Sequence, residues 1–474
     1  MQYNHAVKPI MSSRRPIIGL LVFITLVTYA GAFRGDFQFD DYSTILENPR
    51  YVSWSTFAEH LHHTIRPLLS LTFLIDHMLY GSSPAGYHVL NLLLHVGCGL
   101  LIYSLLRRAV PDELHWAPLW TTLVFLVHPL ATETVTYISC RASGLMTFWY
   151  LAALFLYTKY LARTSGRTGI WSSQGGAVLC FLCALASKET AMTFPVALLL
   201  WDLFISRLRG QALWSQICFE HLPFWLVLGV AGIVALAHPR YQELLQFSFD
   251  LRPFWENVLT QVHAMWSALA LYLTPWNQNF DHDLPLVHGL MDGPVLVEIF
   301  SLAVLIGGII VLSNREPLVS FGLAWFLLQW LPLLIIPRID LLSERNLYLG
   351  SFGLVLAVVV ATLRLAQKLA ASSPQLKHFP ISVRIAAVGA VIVLCSLTFQ
   401  RNILYHDPVL LWSDAVTKSP LKARPHNNLG HALAVNGEWD QAIEEFRTAV
   451  TLDPNYALAH DNLRQAYLHR VGRR

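Results

Sequence analysis

Residues 16–33, PIIGLLVFITLVTYAGAF, form an apolar run without a charged side chain. Its length is close to the roughly 20 residues that cross a bilayer as an α-helix. Similar runs recur along the 474-residue chain, in which 54% of residues are hydrophobic and only 13% are charged. Soluble domains carry about 25% charged residues. With a mean hydropathy of +0.46 as well, the sequence predicts an all-α, polytopic membrane protein.

Eleven further apolar runs, bounded by charges or proline, predict the later helices. They lie near residues 87–106, 119–129, 145–161, 177–186, 191–205, 222–237, 259–273, 295–312, 319–336, 347–363 and 385–397. Lys and Arg concentrate in cytoplasmic loops, so 16–33 is expected to be a retained first helix with a cytoplasmic N-terminus, and not a cleaved signal. The later cations stay cytoplasmic only if 259–273 re-enters or lies in the interface. About eleven crossings and an external C-terminus follow.

The first predicted external loop, residues 34–86, is long and contains a second helical pattern. Apolar residues recur at helical spacing in 67–80. This pattern is typical of an amphipathic helix lying on the membrane surface, where it would cover a site beneath it. The alternative, a further short span, would reverse every later loop and place the arginines on the wrong side.

The composition becomes polar after residue 400, which divides the chain into a membrane domain, 1–400, and a C-terminal domain, 401–474. Pro420 and Pro454 are one tetratricopeptide (TPR) period of 34 residues apart. Small and large packing residues fall in the expected order between them. They are Leu429, Gly430, Ala442, Phe446 and Ala449. The best-defined repeat is therefore 423–456, and it predicts a surface that binds a protein partner.

Two other classes of site are not indicated. Cys180 and Cys183 form a CxxC, but without a second pair or suitably spaced histidines it indicates helix packing and not zinc or redox chemistry. The net charge of +3 does not gather into one basic stripe, so no nucleic acid partner is expected.

Charged and polar residues collect at the span ends that this threading places outside. They are Asp40, Asp41, Arg66, His128, Glu133, Arg141, Lys188, Glu189, Arg338, Glu344 and Arg345. Fixed cations can hold the phosphate of a lipid-linked substrate, and a carboxylate can take a proton from a nucleophile. The sequence therefore favours a site for an anionic, lipid-linked substrate.

Each of these residues also has a structural interpretation. Arg141 and Lys188 could extend to lipid headgroups, Glu189 could cap a helix, and His128 could end one before Pro129. The acidic pair could be a solvated turn. For the whole protein, the main alternative is a membrane scaffold that presents TPR repeats for cell-envelope assembly. A transporter of lipid-linked sugars is a further one, although few polar residues lie within the spans.

Motifs spread in order along the chain resemble the transmembrane and tetratricopeptide-repeat O-mannosyltransferases and their bacterial relatives. They are Asp40-Asp41, Asn48-Pro49, Arg66-Pro67-Leu68, Tyr87-His88, Asn91 to His95, His128-Pro129 with Glu133 and Arg141, Lys188-Glu189, and Glu344-Arg345 with Tyr348. The resemblance implies a GT-C type glycosyltransferase that moves mannose or another hexose from a polyprenyl-phosphate carrier to a Ser or Thr hydroxyl of an acceptor protein, with inversion.

The resemblance also implies roles for single residues. Asp40 or Asp41 would be the general base, and Glu133 would orient a substrate. Arg141, Lys188 and Arg345 would stabilise the departing phosphate. No metal or other cofactor is expected, although the acidic pair leaves a divalent cation open. The implied location is the bacterial cytoplasmic membrane, or the endoplasmic reticulum if the source is eukaryotic, with the TPR region external or lumenal.

Overall fold

The computed structural model describes residues 14–161, 167–373 and 378–472, and within these ranges the chain forms helices and no β-strand. The α-helices are α1 (Arg14–Thr28), α2 (Trp54–His60), α3 (Pro67–Tyr80), α4 (Pro84–Ala109), α5 (Ala117–Val127), α6 (Thr132–Thr136), α7 (Arg141–Leu161), α8 (Arg167–Leu185), α9 (Phe194–Leu200), α10 (Gly210–Ser215), α11 (Leu222–Ala237), α12 (Pro239–Leu251), α13 (Phe254–Leu273), α14 (Val295–Leu312), α15 (Pro317–Ile335), α16 (Tyr348–Ser372), α17 (Phe379–Leu404), α18 (Pro408–Lys418), α19 (Ala423–Val435), α20 (Trp439–Leu452) and α21 (Ala457–Gly472).

Six of the described helices are long and apolar enough to cross a membrane. They are α4, Ile138–Lys159, which includes most of α7, and α14 to α17. The pair Gly210–Glu220 and Leu222–Ala237, bent by 49°, makes up to seven. The all-α membrane fold is thus confirmed, but the expected count of about eleven crossings is not. α1 has only 15 residues and α5 only 11, which at 1.5 Å per residue is shorter than the ~30 Å hydrocarbon core.

Helix α13 is not among the six, because polar residues such as Asn257 and Gln261 interrupt its apolar pattern. It packs against the second half of α15 and against the connection between α15 and α16. Asn257 donates to the carbonyl of Leu333 at 3.0 Å, Gln261 to that of Leu341 at 3.1 Å, and the Tyr272 hydroxyl to that of Leu347 at 3.3 Å. These contacts fix α13 against the end of α15 and the connection that follows it, and whether α13 crosses the membrane stays a prediction.

Helix α3 begins and ends at the residues that the sequence pattern predicts. One face packs through Leu69, Phe73 and Leu74 into a core cluster that also contains Tyr87 of α4 and Ile138. The opposite face exposes Met78 and Leu79 among others. Its location at the membrane surface stays a prediction.

The C-terminal helices α18 to α21 form a stack of antiparallel hairpins around one core cluster, which includes Trp412, Ala442 and Phe446. Gly430 is required where α19 meets α20, since a Cβ there would lie 2.8 Å from the Phe446 ring. Gly437 turns the chain between these two helices with a φ of +83°. The TPR fold predicted for this region is confirmed.

The TPR stack is attached to the membrane domain by the segment after α13. Phe280 inserts its ring between the two parts, 5.1 Å from the ring of Trp412 and 5.2 Å from that of Tyr137. Its neighbour Asp281 is buried and pairs with Lys422 at 2.6 Å and Arg424 at 2.5 Å. Apolar packing and ion pairs therefore hold the first TPR helices against the end of the helical bundle.

Candidate active site

A cavity of about 680 Å³ opens at this same end of the bundle. Its walls come from the first long loop, the start of α3, the turn before α7, the turn after α8, helix α12 and the connection before α16. Three carboxylates line it, Asp40, Glu189 and Asp340. Six cations line it too: Arg50, Arg66, Lys188, Arg240, Arg338 and Arg345. The excess of positive charge suits an anionic ligand.

Asp40 and Asp41 point to different surroundings. Asp40 lines the cavity, is partly exposed, and makes no ion pair with the described residues. Asp41 is fully buried, and its carboxylate accepts hydrogen bonds from the N–H of Gln38 at 2.9 Å, the N–H of Ser139 at 2.7 Å and the Ser139 hydroxyl. Asp41 therefore joins the first loop to the turn before α7, while Asp40 is free to meet a ligand.

The pKa values of these two carboxyls are both raised, chiefly by burial. For Asp40, Arg345 and the Tyr137 hydroxyl oppose this increase. For Asp41 the pKa reaches about 7 in spite of the hydrogen bonds from Ser139 and Gln38. A raised pKa makes a carboxylate a better proton acceptor once it is ionised.

The backbone just before Asp40 is strained. Phe39 has a φ of +39°, a left-handed conformation that residues other than glycine rarely adopt. Such strain costs about 1–3 kcal/mol and persists only where the surroundings hold it in place. Here the Asp40 N–H donates to the Tyr137 oxygen at 3.0 Å, and the Phe39 ring packs edge-on against Trp412 at 5.4 Å.

Glu189 lies between two arginines on the cavity wall. Arg66 binds it in a bidentate manner, at 3.0 Å through Nε and 2.8 Å through Nη2, and Arg338 donates to it at 2.9 Å. Burial alone would raise the pKa of Glu189, but Arg66 and Arg338 outweigh burial and lower it. Glu189 is therefore a fixed anion that orients two cations, and a poor proton acceptor.

Lys188 is buried in the cavity wall beside this group. Its ammonium donates to the Ser143 hydroxyl at 2.9 Å and to the Asn346 amide oxygen at 3.1 Å, and no carboxylate pairs with it among the described residues. Burial, followed by the nearby Arg66, lowers its pKa to about 7. An anionic ligand that reaches Lys188 would restore its charge.

Arg345 is held between two carboxylates. Its N–H and Nη1 donate to buried Glu133 at 2.7 and 2.9 Å, and its Nη2 donates to Asp340 at 3.2 Å. Glu133 does not line the cavity. The structure therefore gives Glu133 the task of anchoring Arg345, in place of the substrate-orienting contact that we expected from the sequence.

Three other predicted site residues lie away from the cavity. Arg141 is 1% exposed and pairs with Asp76 at 2.5 Å, and it also donates to Asn91 at 2.7 Å. The expected contact between Arg141 and a donor phosphate does not fit this buried position. His128 is also buried, and its Nδ1 accepts from the Leu130 N–H at 3.3 Å, so it caps a turn.

Glu344 is the third predicted site residue that lies away from the cavity. It is 1% exposed and accepts from the Gln278 amide at 3.1 Å, from the Asn279 N–H at 2.8 Å, and contacts His282 at 3.1 Å. It fixes the segment that carries Phe280 and Asp281, and so it belongs to the attachment of the TPR stack. It has no direct contact with the cavity.

The cavity also contains residues that the sequence analysis missed. Asp340 and Asn346 lie near the predicted Arg345, and their charge and polarity in the same connection were an available signal. Tyr137 and Ser139 became recognisable only when the chain folded, because their partners lie 97 and 98 residues away. Asp76, which pairs with Arg141 away from the cavity, was visible as the lone carboxylate of the apolar helix α3.

A divalent cation at the acidic pair stays a prediction, and the two carboxylates do not offer it the same oxygens. Both oxygens of Asp41 already accept hydrogen bonds from protein donors. Across the described ranges, no group of three or more His, Cys, Asp and Glu side chains lies close enough to hold a metal ion.

Comparison with known proteins agrees with the two-part architecture. A family model described as TPR repeat matches residues 430–469. The chain is 25% identical over 462 residues to the protein O-mannosyl-transferase F38B6.6 of Caenorhabditis elegans, covering 92% of this chain and 63% of that protein. It is 27% identical over 493 residues to protein O-mannosyl-transferase TMTC4 of Homo sapiens, covering 89% of this chain and 64% of that protein. The chain is also 26% identical over 502 residues to human TMTC3, covering 95% of this chain and 53% of that protein.

The apolar helices, the charged cavity and the TPR stack define a multi-pass membrane protein with a C-terminal helical-repeat domain. Its curated homologues are the TMTC protein O-mannosyl-transferases, which match most of the chain and confirm the resemblance noted from the sequence. The chain spans about half to two thirds of the length of these relatives.

Proposed function

We propose that this protein is a membrane glycosyltransferase that moves mannose from a polyprenyl-phosphate carrier to a Ser or Thr hydroxyl of an acceptor protein. The observation that carries this proposal is the contrast among the three carboxylates of the cavity. Glu189 and Asp340 are each bound by two arginines, whereas Asp40 forms no ion pair with a described residue. The names of the homologues supply the sugar and the acceptor class.

In this mechanism Asp40 is the general base. Its carboxylate takes the proton of the acceptor hydroxyl as the hydroxyl oxygen attacks the anomeric carbon. The bond between that carbon and the phosphate oxygen breaks at the same time, so the anomeric configuration inverts. The raised pKa of Asp40, due mainly to burial, makes its ionised carboxylate a better proton acceptor.

Arg345 and Lys188 stabilise the negative charge that grows on the departing lipid phosphate. Both line the cavity, and both are fixed by hydrogen bonds to residues outside the reaction, Glu133 for Arg345 and Ser143 for Lys188. Cations held in place before the reaction need no reorganisation when charge develops. Arg66 and Arg338 add positive charge, partly compensated by Glu189.

The polyprenyl chain of the donor is proposed to lie along α12. This helix turns Leu244, Phe247 and Leu251 to the cavity, and Phe247 and Leu251 remain exposed. A groove with a cationic end and an apolar wall matches a lipid phosphate in both of its parts. Transfer is proposed to occur on the external or lumenal side, without a metal ion.

Reconstitution in proteoliposomes tests the proposal. The purified protein is supplied with radiolabelled mannosyl-phosphate polyprenol and a Ser/Thr peptide, with glucosyl-phosphate polyprenol and GDP-mannose as parallel donors. We expect label on the peptide from the mannosyl lipid, with inverted configuration, and none from GDP-mannose. Absence of transfer from every lipid donor would contradict an enzymatic role and favour the membrane scaffold that the sequence left as the alternative.

A further inference from the structure

The TPR stack contacts the cavity wall at two separate places. One contact is a chain of ion pairs that leads to Arg345. The other is a contact between two aromatic rings, next to Asp40. These are the two residues to which the proposed function assigns the phosphate and the proton.

The first contact runs through Arg424, in the first turn of α19. Its Nη2 donates to Asp340 at 2.6 Å, and Asp340 accepts from Arg345 at 3.2 Å. Arg345 in turn is bound to Glu133 at 2.9 Å. A side chain of the TPR stack is thus two ion pairs away from the proposed phosphate-binding cation.

Arg424 also determines how strongly Asp340 attracts Arg345. Burial alone would raise the pKa of Asp340, but Arg424 and then Arg345 outweigh burial and lower it. Asp340 is therefore an anion shared by two arginines. Without Arg424, its whole charge would act on Arg345 and draw the guanidinium away from Glu133 and the phosphate position.

The second contact runs through Trp412 of α18. Its ring packs edge-on against Phe39, 5.4 Å between centroids, and Phe39 is the strained residue that directly precedes Asp40. The chain before this turn is bound to the same region, since the side-chain amide of Gln38 donates to the carbonyl of Tyr405 at 3.1 Å. The conformation that presents Asp40 to the cavity therefore depends on contacts with α18 and the residues before it.

We propose that the first TPR helices complete the active site, with Arg424 as a positioning residue for Arg345 and Trp412 as a support for the turn that presents Asp40. This inference rests on the proposed function, because that function gives Arg345 and Asp40 their roles. It gives the TPR stack a part in the chemical step, in addition to any binding of acceptors or partners.

A purely structural role for Arg424 would look different, and the chain offers a matched control. Lys422 and Arg424 both bind Asp281, at 2.6 and 2.5 Å, but of the two only Arg424 forms an ion pair with Asp340, on which Lys422 acts more weakly. If these cations merely attach the TPR stack, Lys422→Ala and Arg424→Ala should act alike. Arg447→Ala, which removes an exposed arginine of α20, controls for loss of a TPR charge.

The experiment measures transfer from mannosyl-phosphate polyprenol by the full-length Arg424→Ala, Arg424→Lys, Lys422→Ala and Arg447→Ala proteins. We expect kcat to fall about tenfold in Arg424→Ala with little change in the KM of the acceptor, and to recover partly in Arg424→Lys. Lys422→Ala and Arg447→Ala should stay within about twofold of the original protein. Equal losses in Arg424→Ala and Lys422→Ala would overturn the positioning role.

A double-mutant cycle between Arg424 and Asp340 gives a second criterion. If Arg424 acts through Asp340, the double variant Arg424→Ala with Asp340→Asn should lose no more activity than Asp340→Asn alone. Additive losses would contradict this path. For the aromatic contact, Phe39→Leu should lower kcat more than Phe33→Leu, a matched change at an exposed phenylalanine between α1 and this turn.

A binding measurement separates failure of this inference from failure of the proposed function. If the original protein transfers no sugar, the proposed function is wrong. Equilibrium binding of radiolabelled undecaprenyl phosphate then decides the inference. Weaker binding by Arg424→Ala, with Lys422→Ala unchanged, supports positioning of Arg345, and equal binding by both variants overturns it.

Discussion

The carboxylate of Asp41 accepts a hydrogen bond from the main-chain N–H of Ser139 at 2.7 Å, and a second one from its hydroxyl. Asp41→Asn would turn an amide N–H toward a donor and leave part of this buried network unsatisfied. We expect the free energy of unfolding to fall by about 1–3 kcal/mol. Asp40→Asn, at a partly exposed position without an ion pair in the described structure, should change it by less than about 0.5 kcal/mol.

Chemical denaturation in detergent, followed by tryptophan fluorescence, measures both variants under the same conditions. Equal stability of the Asp40 and Asp41 variants would contradict the division of roles between these neighbours.

The pH dependence of kcat/KM should show the titration of Lys188. Its pKa is lowered to about 7, so the ammonium is charged below this pH and becomes neutral above it. Since the charge is needed for the phosphate, kcat/KM should fall as the pH rises through about 7. On the acidic side, kcat/KM should fall as Asp40 is protonated, at a pH above the ordinary carboxyl pKa of about 3.9, because burial raises its pKa.

Lys188→Arg isolates the alkaline limb, since a guanidinium stays charged over the whole range. This variant should move the decline to higher pH while leaving the acidic limb in place. A decline that stays near pH 7 in Lys188→Arg would show that another group titrates there.

Removal of Arg345 should affect the chemical step more than removal of any other cavity arginine. Arg345→Ala is expected to lower kcat by about 10²–10³, the usual effect of losing one preorganised donor to developing charge. Arg338→Ala is the matched control, because Arg338 is 41% exposed and Glu189 keeps Arg66 as a partner. Steady-state transfer rates at saturating donor measure both, and similar losses would argue against a special role for Arg345.

The ion pair between Arg141 and Asp76 should behave as a stability element. Arg141→Ala leaves a buried carboxylate unpaired, which typically costs about 3–5 kcal/mol. The double variant Arg141→Met with Asp76→Leu should recover much of this loss, because it buries no uncompensated charge. Unfolding midpoints of the single and double variants measure the effect. A single variant as stable as the double one would mean that the pair contributes little.

The helices and the TPR repeat could be predicted from the sequence because both are encoded locally. Apolar runs mark the helices, the bounds of α3 agree to the residue, and the 34-residue period places the repeat. The number of crossings was harder to predict. Helix α5 is apolar but short, and the apolar segment that contains α10 and α11 is bent, so hydropathy alone cannot decide how each one meets the bilayer.

The sequence predicted several residues of the site, but not the role of each one. The turns carrying Asp40, Lys188 and Arg345 were identified, and the structure brings these residues to one cavity. Whether a charged residue faces the cavity or the core depends on partners far away in sequence. Asp41 accepts a hydrogen bond from Ser139, and Arg141 forms an ion pair with Asp76. Neither contact follows from spacing along a single helix.

The most direct measurement is single-turnover transfer from mannosyl-phosphate polyprenol by the original protein and by Asp40→Asn, at equal folded yield and with bound donor quantified. A general base contributes about 10²–10⁴ to the rate, so we predict a loss in that range with donor binding unchanged. Transfer by Asp40→Asn at the rate of the original protein would contradict Asp40 as the base and, with it, the proposed mechanism.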